Sequence, residues 1–149
     1  MMTSPFGKHI LAEYSECECT YLDSEPAIRE VMLEAASISG STIVGNIFHH
    51  FSPHGVTGVV VIAESHLAIH TWPEFRYASV DIFTCGTHLD PWAGFEYLKE
   101  RLQSRKSLSK EIIRGTMDQG LLDVSSLYSG NVSSGQGALP LIQGRITSM

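Results

Sequence analysis

The sequence predicts a two-layer α/β (α+β) sandwich, a mainly antiparallel sheet with two helices packed on one face. Three observations carry that expectation. Short runs rich in Val, Ile and aromatic residues follow one another with only brief turns between them. Two other segments repeat apolar residues at helical spacing, each behind a capping residue. At 149 residues and 43% hydrophobic, the chain is long enough for one domain with a proper core and too short for two ordinary ones.

His9 to Thr20 reads as the first strand, with Ile10, Ala12 and Tyr14 alternating against Leu11, Glu13 and Ser15. Ser24 then offers an N-cap and Pro26 suits the first turn of a helix. Ile28, Val31, Met32, Ala35 and Ala36 form its apolar stripe, and Gly40 closes it. Thr42 to Phe51 reads as a second strand, followed by the turn Ser52-Pro53-His54-Gly55. Val56 to Ala63 and Leu67 to Trp72 are two further strands, and Tyr77 to Thr84 another. Asp90 caps a second helix with Pro91 behind it and Trp92, Phe95, Leu98 and Leu102 as its stripe. Arg101, Arg105 and Lys106 are assigned to its last turn, where cations suit the negative end of the helix dipole. From Asp118 the chain turns Ser/Gly-rich and aperiodic, so residues 1–117 are expected to form the domain and 118–149 a mobile extension. Two helices leave much of such a sheet uncovered, which points to an interface.

Sixteen acidic residues against ten basic ones give a net charge of −6, and no Lys/Arg cluster is interleaved with aromatics, which argues against a nucleic-acid surface. Residues 1–64 hold eight Asp/Glu but only Lys8 and Arg29, a balance that suits a cationic small molecule or a basic partner, and equally a solvated surface. The N-terminus lacks the pattern of a secretory signal, and no apolar run is long enough to span a membrane. Cys17, Cys19 and Cys85 are an odd set without CxxC spacing, which argues against a disulfide framework or a zinc knuckle and makes a reducing cytoplasm the expected location. His49, His50 and His54 show no recurring ligand spacing, so no metal is expected.

The densest information lies in GVTGVVVIAESHLAIHTWPE, residues 55–74, where the polar step Glu64-Ser65-His66 interrupts two apolar, β-branched runs. The step is a tight turn or a kink. Its polar groups must be solvated or paired, because burying each unpaired costs roughly 2 kcal/mol or more. No Gly, Asn or Pro stands there to supply positive φ cheaply, so a strained backbone is expected. Ser65, His66, His70 and Cys85 are the reactive side chains on or beside these strands, with Thr57 one strand earlier.

A serine hydroxyl bent over the preceding carbonyl carbon can convert the amide to an ester by an N-to-O acyl shift, driven by strain and proximity. Removal of the serine α-proton then eliminates the carboxylate and leaves dehydroalanine, which tautomerises and hydrolyses to a pyruvoyl group. These residues, together with YASVDIFTCG at 77–86, closely resemble the prokaryotic S-adenosylmethionine decarboxylase proenzymes, and the similarity runs from about Gly7 to Gly115.

The resemblance implies self-cleavage between Glu64 and Ser65, giving a β chain of residues 1–64 and an α chain headed by a pyruvoyl group derived from Ser65. It implies that His70 is the proton acceptor in processing, that Cys85 is the proton donor in catalysis, and that the enzyme is a homodimer of two-chain protomers with sites near the interface. The product would be the aminopropyl donor for spermidine synthesis.

Chemistry supports those roles independently. Decarboxylating an α-amino acid needs an electron sink conjugated to Cα, which a Schiff base with pyridoxal phosphate or with a pyruvoyl carbonyl provides. Pyridoxal phosphate needs a lysine, and Lys8, Lys99, Lys106 and Lys110 are read as lying outside the apolar centre, the last three in the second-helix region. Taken alone, Cys85 fits a small buried hydrophobe and His70 a hydrogen-bonded core histidine. Thr57, where the family often has serine, is an aid to processing or a plain strand residue. Phe51 is a candidate to stack on adenine and attract the sulfonium, Glu74 to bind the ribose hydroxyls; core packing and a surface loop are their plainer readings. Two other functions fit the same sequence: a pyruvoyl decarboxylase acting on arginine or ornithine, and a non-catalytic family member acting as a binding partner.

Overall fold

The structure, a computed structural model, describes residues 5–115. The extension expected from residue 118 onward lies outside the described residues. The elements are β1 (Gly7–Cys17), α1 (Glu25–Ile38), β2 (Ile43–His50), β3 (Val56–Ile62), β4 (Ser65–Trp72), β5 (Tyr77–Cys85), α2 (Pro91–Arg101) and β6 (Ser104–Arg114), with a single 3-10 turn, Pro73–Phe75, before β5. The six strands form one sheet in the order β2-β3-β4-β5-β1-β6, and every neighbouring pair is antiparallel.

Strand alternation sorts the side chains onto two faces. Ile10, Ala12 and Tyr14 of β1, Val56, Val60 and Ile62 of β3, Leu67 and Ile69 of β4, and Ala78, Val80 and Ile82 of β5 are buried on one face. Both helices cover that face, α1 over β2, β3 and β4, and α2 over β1, β5 and β6. Helix α1 begins where the sequence placed it: the Ser24 side chain accepts from Ala27 N–H, and Gly40, at φ 81°, follows the last turn. Asp90 caps α2 by accepting from Ala93 N–H. The helices meet at Gly94, where a Cβ would fall 2.3 Å from Ser39 Oγ, so the close approach requires the absence of a side chain. The Tyr14 hydroxyl, fully buried, donates to the Phe95 carbonyl at 2.9 Å and ties β1 to α2.

One assignment is corrected. Arg105 and Lys106 belong to β6, not to α2, which ends at Arg101 with Leu102 as its C-cap and Gln103 at φ 50°. Lys106 and Lys110 therefore lie on an edge strand three positions from β4. The sequence 104–114 carries little of the β-branched alternation of a half-buried strand, because β6 is an edge whose cations guard it and pair with the end of β1. Arg105 bridges Glu18 at 2.8 Å and Lys106 bridges Glu16 at 2.6 Å. Trp92 also departs from the predicted stripe: it is 38% exposed and its indole N–H donates to Glu111 of β6.

Tyr14→Phe is expected to destabilise the domain by about 1 kcal/mol, since a buried carbonyl loses a partner and no volume is removed. Denaturant unfolding with an unchanged m-value checks this; an unshifted midpoint would mean that the bond contributes nothing.

Candidate active site

The polar step at 64–66 is a hairpin tip. Ile62 pairs with Ser65, so Ala63 and Glu64 form a two-residue loop between β3 and β4. Such loops ordinarily place glycine or asparagine at positive φ. Neither loop residue takes positive φ here; the next residue, Ser65, does, at 148°. That region is essentially reserved for glycine, and a side chain there costs of order 1–3 kcal/mol.

The neighbours of the tip hold it in place. The Glu64 carbonyl accepts from the Cys85 backbone N–H at 2.8 Å. The Glu64 carboxylate accepts from Thr42 N–H at 3.1 Å and lies 3.5 Å from His88 Nε2, while Ala63 N–H donates back to the Thr42 carbonyl at 2.8 Å. Thr42 N–H, foremost, holds the Glu64 carboxyl below the usual carboxylate range. Ser65 Oγ stands 3.3 Å from His66 Nδ1. Cys85, a free thiol of intermediate burial, ends β5 opposite Gly7. A Cβ on Gly7 would lie 3.2 Å from the Cys85 sulfur and 2.8 Å from Phe83, so glycine at that strand position makes room for both.

A second group forms toward the other end of β4. His70 pairs with Thr57 across β3 and with Ser79 across β5. Its ring lies 4.2 Å from Trp72 and 5.6 Å from Phe51, which in turn meets His49 edge-on at 4.8 Å. The Thr57 hydroxyl donates to the Ile69 carbonyl at 3.4 Å, and Glu74 is exposed in the 3-10 turn that follows β4. Thus Glu64, Ser65 and Cys85 come together, and so do Phe51, Thr57 and His70. The two groups remain apart: Ser65 and His70 are five residues along one strand, about 16 Å.

Several contributors were not singled out from the sequence. Gly7 opens β1, two residues before the strand that the sequence predicts from His9. Thr42, His88 and Asp23 carry no signal, because only tertiary structure brings them near. Asp23 Oδ1 accepts from Gly55 N–H at 2.7 Å and from His50 Nε2 at 2.9 Å. The buried Thr71 hydroxyl accepts from Val56 N–H and donates to the Leu22 carbonyl, each at 2.8 Å. These bonds hold the 51–55 loop, and with it Phe51, against the chain that leaves β1.

The fold and this site define a class: an α+β sandwich whose β3–β4 hairpin strains a serine behind a clamped carbonyl. A profile of the S-adenosylmethionine decarboxylase family matches residues 8–115. The chain is 52% identical over 113 residues to the S-adenosylmethionine decarboxylase proenzyme of Fervidobacterium nodosum, an alignment covering 76% of this chain and 82% of that one. It is 50% identical over 113 residues to that of Thermotoga maritima, covering 76% and 87%. The crystal structure of the Aquifex aeolicus adenosylmethionine decarboxylase superposes with a TM-score of 0.71 at 32% identity, covering 81% of this chain and all of that one. The chain belongs to the S-adenosylmethionine decarboxylase family.

Gly55 N–H, foremost, and His50 hold the Asp23 carboxyl below the usual carboxylate range. A depressed pKa contributes stability that is present above the unfolded-state value and is lost as pH falls through the folded one. Asp23→Ala should therefore melt at a lower temperature at neutral pH and lose less stability than the parent on acidification. Parallel curves for melting temperature against pH would show that this carboxylate does not anchor the loop.

Proposed function

We propose that the chain decarboxylates S-adenosylmethionine, using a pyruvoyl group that it makes from Ser65 after cutting itself between Glu64 and Ser65. The observation that carries this reading is the strained Ser65 standing directly behind a carbonyl held by the Cys85 N–H. The N–H polarises that carbonyl and faces the oxygen on which charge develops when the hydroxyl attacks, the arrangement that stabilises a tetrahedral oxyanion. Cleaving the amide relaxes the strained φ, so the ground state is raised and the product is not.

The second proton transfer, from Cα of Ser65 once the ester has formed, is given to His70. Within one protomer that imidazole stands about 16 Å away along β4, out of reach of the Ser65 Cα. We therefore read the site as shared between two copies. The uncovered sheet face carries His66 and His70 of β4, Thr57 of β3 and Phe83 of β5, and it leaves Ile47, Val61 and Leu108 at 72%, 43% and 66% exposure. A two-fold axis through this face is self-complementary, so stacking the Ser65 end of one sheet on the His70 end of its partner makes two equal sites and buries the apolar surface.

The residues of the strained hairpin fit the formation of a pyruvoyl group, which supplies the electron sink for the charge left on the substrate Cα as CO2 departs. The Cys85 thiol delivers a proton to that carbon. Phe51 stacks on the adenine and faces the sulfonium, and Glu74 takes the ribose hydroxyls. Lys106 and Lys110 lie on the far edge of the sheet, whereas Lys8 of β1 pairs with Thr84 of β5, the residue that also pairs with Ser65. The product serves as the aminopropyl donor for spermidine synthesis. Three free thiols agree with a cytoplasmic location.

Intact-mass analysis of purified protein is expected to give two fragments divided at Glu64 and Ser65, the second carrying a ketone in place of its amine. CO2 should be released from carboxyl-labelled S-adenosylmethionine; release from arginine or ornithine instead would replace the substrate. Ser65→Ala should remain one chain, and Cys85→Ser should be cut yet turn over at least about 100-fold more slowly. The shared site has its own test, co-expression of Ser65→Ala with His70→Ala. Hybrid dimers combine the intact Ser65 of one chain with the intact His70 of the other, so the His70→Ala chain should be cut only in the mixture. If it stays whole there, both groups act within one protomer.

A further inference from the structure

Before the Ser65 hydroxyl can attack, it must give up its proton, and this transfer occurs at a different atom and an earlier stage than the one assigned to His70. His66 Nδ1 lies 3.3 Å from Ser65 Oγ, within the same protomer and before any partner is added. We infer that His66 is a further catalytic residue, the base that takes the Ser65 hydroxyl proton in the N-to-O acyl shift. This inference rests on the self-cleavage proposed above.

The ring is held by its surroundings. His66 lies opposite Phe83 in the β4–β5 register and meets that ring edge-on at 5.6 Å. Behind it His9 of β1 stands 6.4 Å away, also edge-on, and stacks on the same phenyl ring at 5.2 Å. His9 is itself bracketed: Nδ1 accepts from Arg114 of β6 at 3.2 Å, and Nε2 donates to Asp81 of β5 at 3.3 Å. One nitrogen accepting and the other donating is the neutral imidazole, and burial, the largest cause, pulls the His9 pKa down in the same direction. A neutral His9 lets positive charge develop on His66 without like-charge repulsion. The scaffold therefore spans β1, β5 and β6 and orients one nitrogen toward the hydroxyl.

The step balances without a co-reactant. The hydroxyl proton passes to His66 Nδ1 as Ser65 Oγ bonds to the Glu64 carbonyl carbon, and the electron pair moves onto the carbonyl oxygen beneath the Cys85 N–H. The tetrahedral centre then collapses, the Glu64 C–Ser65 N bond breaks, and the nitrogen takes the proton back from His66. Amide has become ester, Ser65 carries a free amine, and His66 is unchanged. Removal of the α-proton by His70 and expulsion of the Glu64 carboxylate follow as separate events.

Freshly made parent, His66→Asn, His66→Ala and His70→Ala chains would be followed by intact mass, with hydroxylamine added to cleave any ester. Asparagine keeps an acceptor near the Nδ1 position but cannot carry the proton, so it separates holding the hydroxyl from deprotonating it. Both His66 variants are expected to form ester about 100-fold more slowly or worse at unchanged melting temperature, with added imidazole restoring the rate in His66→Ala. His70→Ala should instead accumulate a chain that hydroxylamine cuts. A His66→Asn chain that forms ester at the parental rate overturns the role, and so does a slow His66→Ala chain that imidazole does not restore. If the parent itself is never cut, self-cleavage falls and this role with it; a parent that cuts normally beside a fast His66→Asn chain removes only His66.

Discussion

The constraint on which the rest depends is a two-residue hairpin loop built from residues that do not take positive φ easily. Right-twisted strands joined by so short a loop need left-handed backbone, which glycine or asparagine would supply at little cost. Ala63 and Glu64 do not supply it, and the demand is displaced onto Ser65. A strained residue persists only when its surroundings over-determine it. Here they do: the β3–β4 ladder closes at Ile62 and Ser65, Thr42 grips Ala63 and Glu64 from just ahead of β2, and Cys85 grips the Glu64 carbonyl from β5. A cost of order 1–3 kcal/mol is tolerable to a domain whose net stability is about 5–15 kcal/mol, provided that it is concentrated at one bond.

The same clamps explain why a cut at this position would leave the fold standing. The hairpin tip is the one place on β3 and β4 where the backbone can be severed without removing a ladder hydrogen bond between them. Thr57 through Ile62 remain paired with Ser65 through His70, β2 and β5 flank them, and the Leu67 and Ile69 side chains stay packed under α1. The Glu64 side chain, bonded to Thr42 and beside His88, keeps the new end of the first chain in place.

Much of this architecture was legible in the chain. Ser24, Asp90 and Gly40 marked helix ends that the structure reproduces, because capping is local chemistry, and the alternation in β1, β3, β4 and β5 marked which face is buried. The strain at Ser65 was legible too, as a hairpin lacking the residues that hairpins use. Strand β6 was not, since its charges follow from its edge position and resemble the cationic end of a helix when read along the chain. Nor was the separation of Ser65 from His70. Both stand on one strand in the sequence motif, and their proximity in the 55–74 segment conceals about 16 Å of extended backbone. The hold of Thr42, His88 and Asp23 on the two hairpin loops needed tertiary contacts, for which no sequence period exists.

That separation determines how the two faces of the sheet divide their work. Period-two alternation gives every central strand one apolar face for the helices and an opposite face left free of them, so Leu67 and Ile69 anchor the strand that presents His66 and His70 on the other side. A protomer alone would leave its reactive face wet and its two half-sites apart. In the proposed dimer a second copy would remove both defects at once, because an isologous interface pairs unlike ends of identical sheets and excludes water from the groups between them. On the proposed mechanism, self-processing would be conditional on assembly: His66 and the Cys85 N–H stand beside Ser65 and the Glu64 carbonyl within each chain, so the ester would form early, while the irreversible elimination would wait for the imidazole of a second copy. An ordering of this kind protects the chain from committing its serine before the site that will use the ketone exists.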